Sequence, residues 1–179
     1  MPIMKIDEIY CDVDFSLLSR HLELLDIELT RLNAAIIEST DPESDGFCDS
    51  GEYFIGSGFV AIQRYFTATA LGLGLSMEEA LDIPPMTSPK ASLAAAINTG
   101  ANYWKHVEEW LAHMNKPIDP KFPRSGQNTL DRLEGITPWQ EYTCSNLLAI
   151  LLKGQRQELS LLLPKIEEWR NNAFALHDT

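Results

Sequence analysis

Four side chains on one segment, Asn102, His106, Glu109 and His113, follow one another at spacings of four, three and four residues. On a helix that spacing draws a single stripe. Imidazole and carboxylate groups so aligned could hold a transition metal or pass a proton. The same segment sets Tyr103, Val107, Trp110 and Met114 on its buried side, so the alternative is a solvated polar face. A metal would also need ligands from another helix. Arg64 is a second candidate, because it interrupts the most apolar segment of the chain beside Gln63. A buried guanidinium must find a carboxylate or a ligand, and Glu52, Asp82 and Glu109 are available. Alternatively, Arg64 locks two helices through an ion pair or snorkels from the edge of a bundle.

The elements that must position these groups are helical. Apolar residues recur at helical spacing along most of the chain and alternation is scarce. A first helix is expected from Asp14 to Ser39, carrying Leu17, Leu18, Leu22, Leu25, Leu29, Leu32 and Ile36 on one broad face. The second, "EYFIGSGFVAIQRYFTATALGLG", is apolar almost all round, which predicts a central, buried helix. Gly56 and Gly58 would let a neighbouring backbone approach it closely. Ser76 and Glu79 form a capping box for a short helix that Pro84 and Pro85 end. Ser88 is expected to cap a long fourth helix, with Pro89 in its first turn and Gly100 as a weak point. A proline-rich loop over 115–127 brings Lys116, Lys121 and Arg124 close to Arg132, a basic island. Thr137 and Gln140 predict the cap of "WQEYTCSNLLAILLK". Pro164 should kink or restart the last helix. The expected fold is all-α, a single-domain antiparallel bundle of about five to seven helices.

Composition narrows the function. The 179 residues suit one domain. Acidic residues outnumber basic ones by 26 to 14, for a net charge of −12, which argues against a nucleic-acid groove. It suits a soluble protein, or one that meets a basic partner under opposite fields. Cys11, Cys48 and Cys144 are scattered and odd in number, as expected of reduced thiols in the cytoplasm. The start lacks a basic region followed by an apolar one, and no apolar run reaches membrane-spanning length.

The acidic stretch "DPESDGFCDSGE", Asp41 to Glu52, lies between the first two helices and resembles a single EF-hand loop. That resemblance implies Ca²⁺ as a cofactor, held by Asp41, Glu43, Asp45, the Phe47 carbonyl, Asp49 and Glu52, with Gly46 at the sharp turn. The alternative needs no cofactor: an acidic connector whose Asp49 or Ser50 caps the second helix.

Ile55–Phe66, "IGSGFVAIQRYF", and Ala101–Trp110, "ANYWKHVEEW", resemble stretches shared by small, uncharacterised bacterial all-helical proteins. Asn102, Lys105 and His106, as Asn-x-x-Lys-His on a bundle helix, also resemble degenerate members of the HEPN superfamily. That superfamily includes metal-independent ribonucleases built on an arginine followed by a histidine. The resemblance implies a catalytic pair in "RNNAFALH", Arg170 and His177, with Asn171 beside the arginine.

The leading expectation is not catalytic. It is a cytoplasmic bacterial bundle of the immunity or antitoxin type, neutralising a cognate, basic toxin by contact. Arg64, Asn102, Lys105, His106 and Glu109 would then form a binding surface, with Tyr103, Trp104 and Trp139 as aromatic anchors. Neither nucleic acid nor membrane is expected as a partner, and a homodimer is left open. The HEPN-like ribonuclease and the calcium-binding bundle are the alternatives.

Overall fold

The computed structural model describes residues 4–6, 9–88, 91–114, 122–138 and 141–177. Among these, seven α-helices build the fold: α1 (Val13–Glu38), α2 (Phe47–Gly72), α3 (Met77–Asp82), α4 (Leu93–Met114), α5 (Arg124–Glu134), α6 (Thr143–Leu151) and α7 (Leu163–His177). Two short antiparallel hairpins accompany them. β1 (Met4–Ile6) pairs with β2 (Ile9–Cys11), and β3 (Met86–Ser88) with β4 (Ala91–Ser92). The fold is therefore an all-α helical bundle.

α2 is the central element. It packs against α1 on one side and α4 on the other, and Phe59, Ile62 and Phe66 are fully buried along it. Each large apolar side chain so buried contributes roughly 1.5–3 kcal/mol. Behind them, Phe66 meets Trp169 of α7 with ring centroids 4.4 Å apart, and the Trp169 indole N–H donates to the Ala80 carbonyl at 3.0 Å. The close approach at Gly56 is to a side chain rather than a backbone. A Cβ there would stand 2.3 Å from the Trp104 ring, so glycine is what lets that indole lie flat on α2. Gly100 does not weaken α4, which runs through it unbroken. A Cβ at that position would stand 2.7 Å from Leu147 and 2.9 Å from Phe59.

α2 also has a solvent side. Tyr53, Arg64, Ala68 and Leu71 are exposed along it, so the helix is central but not enclosed. Leu17 is 57% exposed while Leu18 is buried, which moves Leu17 to the face of α1 opposite the core.

Local signals act where they are self-contained. The Ser76–Glu79 capping box is formed, and Pro164 sits in the first turn of α7 after a 3-10 turn over Leu159–Leu162. Ser88 belongs to β3 instead of capping α4. Ser92 takes that role, its Oγ accepting from the Ala95 N–H at 2.9 Å while donating to the Leu81 carbonyl. α6 begins only at Thr143, and its cap comes from another helix, as described below. Lys116, Lys121, Pro89, Trp139 and Gln140 lie outside the described residues.

Candidate functional site

Three carboxylates at the helix junctions are each aimed at backbone N–H groups. Asp12 caps its own helix, Oδ1 accepting from the Phe15 N–H at 2.9 Å. Asp26, buried on α1, accepts from the N–H groups of Leu159 (2.6 Å) and Ser160 (2.9 Å) at the start of the 3-10 turn. Glu52 of α2 accepts from the N–H groups of Cys144 (2.7 Å) and Ser145 (2.9 Å) and from the Ser145 hydroxyl (2.7 Å). Unpaired N–H groups and the positive end of the helix dipole make such termini anion sites. Here the anions are the protein's own. Burial and the Glu52 charge push the Cys144 thiol well above its ordinary pKa.

Asp12 has a second role. Its Oδ2 accepts from the Tyr65 hydroxyl at 2.7 Å and from Arg170 Nη1 at 3.5 Å. The Arg170 guanidinium lies over the Phe15 ring, 5.1 Å from its centroid, and gives a further hydrogen bond to Glu167 at 2.8 Å. Arg170 is 4% exposed. Burial, then the hydrogen bond to Asp12, raises the Tyr65 pKa far above that of a free phenol. Arg170 is thus enclosed in an ion pair, whereas His177 is exposed at the end of α7, about 10 Å further along the helix axis.

The α2–α4 seam gathers part of the predicted binding set. Gln63 donates to Asn98 (2.7 Å) and Asn102 (2.9 Å), and Lys105 donates to Gln63 (2.8 Å). Partial burial lowers the Lys105 pKa. His106 meets Glu109 at 3.3 Å and stacks on Trp110, the carboxylate being exposed and the imidazole half-buried. Arg64 points outward to solvent. Tyr103 is buried, and Trp104 is half-buried against Gly56 and edge-on to Tyr53.

The acidic stretch is divided between a turn and a helix. Residues 42–46 form the turn, Gly46 has φ +73°, and α2 starts at Phe47. The Phe47 carbonyl therefore enters the helical ladder. Asp45 accepts from the Ser39 hydroxyl at 2.6 Å, Asp41 accepts from the Ser44 N–H at 3.2 Å, and Glu52 faces α6. No three His, Cys, Asp or Glu side chains converge as a metal site among the described residues.

Beside this stretch opens a cleft of about 600 Å³. Leu32, Ile36 and Ile37 of α1, Cys48 and Ile55 of α2, and Tyr142 line it. Asn33, Gln157 and the exposed Arg156 also line it, and the Glu43 and Asp49 carboxylates lie close to Tyr142 at its edge. Tyr142 feels them: partial burial and the Glu43 and Asp49 charges push its pKa up to about 12. The Tyr142 hydroxyl lies 3.4 Å from Glu43. The cleft has no signature in the sequence, since its walls come from segments far apart in the chain. No helix among the described residues is long and apolar enough to cross a membrane. No protein-family model, curated protein or solved structure matches the chain.

Proposed function

We propose that the protein is a non-catalytic binding protein of the immunity or antitoxin type, which neutralises a cognate basic toxin by covering it. One observation carries this reading: an open, largely apolar cleft, with Ile37 and Tyr142 at its edge, has the Glu43 and Asp49 carboxylates on its Tyr142 side and Arg156 in its lining, on a chain of net charge −12. An apolar centre within a charged rim is the anatomy of a protein interface. The negative charge steers a basic partner, and the cleft accepts one of its apolar or aromatic side chains. The remaining polar groups support this assignment, because Asp12, Asp26, Glu52, Gln63 and Arg170 are engaged in holding helices to one another.

The test is co-expression with the basic toxin encoded beside its gene, followed by pull-down. Growth should be rescued by the wild-type protein and lost with Ile37→Glu. Rescue that survives Ile37→Glu and charge reversal at Glu43 and Asp49 would refute the assignment of the cleft.

A further inference from the structure

The outer face of α1 carries a second apolar feature, separate from the cleft. Val13, Leu17, Leu24 and Ile27 are 43%, 57%, 59% and 63% exposed. With Arg20 and Arg31 between and after them, they follow one another at spacings of four, three, four, three and four residues. That is the seam of a coiled coil, two positions in every seven on one side of the helix. It lies opposite the stripe of Leu18, Leu22, Leu29 and Leu32 that faces the core.

The seam has an internal symmetry. Counting outward from Leu22, Leu24 mirrors Arg20, Ile27 mirrors Leu17, and Arg31 mirrors Val13. A second α1 laid antiparallel across a two-fold axis at Leu22 therefore brings every seam residue opposite another seam residue. Leu17 meets Ile27 of the copy, at both ends of the contact. The charges agree with the same register. Arg20 falls beside Glu23 of the copy, and Arg31 beside Asp14 of the copy. Arg31 already bonds Glu28 of its own helix at 2.9 Å, so it would stand between that carboxylate and the incoming one.

We infer that the Val13–Arg31 face of α1 binds a second copy of this chain, antiparallel and in this register. The seam is about 27 Å long and both copies are acidic, so the dimer is a weak one that grows with concentration. This inference stands apart from the toxin reading, because the cleft and the seam use different faces of α1.

Sedimentation velocity on the full chain, from about 5 µM to about 500 µM, reads the equilibrium. Wild type should shift from monomer to dimer over that range. Leu24→Glu, at an exposed position that leaves the fold intact by circular dichroism, should stay monomeric. Arg20→Glu should weaken the dimer about tenfold, and adding Glu23→Arg should restore most of the loss. A wild-type monomer throughout, a dimer that survives Leu24→Glu, or no restoration by the double variant would each overturn the inference. Loss of toxin binding in Leu24→Glu, with the wild type monomeric throughout, would assign the face to the toxin instead.

Discussion

Glu52 and Ser145 make a two-point contact, the carboxylate taking both the backbone N–H (2.9 Å) and the hydroxyl (2.7 Å) of the serine. Together with the Cys144 N–H this sets where α6 begins. Glu52→Ala should cost about 3 kcal/mol in urea unfolding, since it leaves N–H groups at a partly buried helix start without an acceptor. Glu52→Gln keeps one good acceptor and should cost roughly half as much. Because Glu52 is occupied in this way, about 1 mM Ca²⁺ should leave the melting temperature of wild type where EDTA leaves it.

Arg170 and His177 should respond very unequally to removal. Removing one partner of a buried ion pair leaves a charge stranded, so Arg170→Ala is expected to destabilise by about 3–5 kcal/mol. His177→Ala, at an exposed helix end, should change stability by less than about 0.5 kcal/mol. Chemical denaturation of the two variants separates them.

Alkali should unfold the protein through its buried phenols. Burial raises the pKa of both Tyr65 and Tyr103, so the folded state keeps these protons longer than the unfolded chain does. Their stabilising contribution is complete below the ordinary tyrosine pKa of about 10 and is lost as pH rises beyond it. Each phenol adds a slope of up to about 1.4 kcal/mol per pH unit there. Unfolding followed from pH 9 to 11.5, about the range that brackets this titration, should show a shallower slope in Tyr65→Phe than in wild type.

On the proposed reading, the Glu43 and Asp49 charges beside the cleft should govern the rate at which a basic partner is captured more than the lifetime of the complex. Glu43→Lys with Asp49→Lys should slow association about tenfold or more, and raising the salt should slow wild type towards the variant. Ile37→Ala should act mainly on dissociation, by about 1–2 kcal/mol. Stopped-flow mixing resolves the two.

Gly56→Ala should destabilise despite the better helix propensity of alanine. The propensity gain is about 1 kcal/mol, but the new methyl needs space that the Trp104 ring now fills, and such overpacking costs about 1–3 kcal/mol. Thermal unfolding of Gly56→Ala beside a Trp104→Leu background tests this, since the smaller side chain should recover the loss.

Features carried by neighbouring residues were legible before the structure. The long first pair of helices, the Ser76–Glu79 box and the restart at Pro164 are local, and periodicity or capping chemistry reports them. Adjacent leucines defeated the same logic: Leu17 and Leu18 differ by about 100° around a helix, and only tertiary packing decides which turns inward. Arg64 looked enclosed because its neighbours are apolar, yet it occupies the outward stripe of α2. The carboxylates at the helix junctions were invisible for a different reason. Asp12, Asp26 and Glu52 reach partners 158, 133 and 93 positions away, and no spacing rule connects residues so distant. The cleft shares that origin.

The bond between Asp12 and Arg170 also sets a timetable. The opening turn of α1 remains without its guanidinium until α7 has left the ribosome, and Asp26 waits almost as long for Leu159. A nascent chain can therefore pack α1 against α2 early but can secure α1 fully only late. Any deletion that removes α7 should release the front of the molecule along with the back.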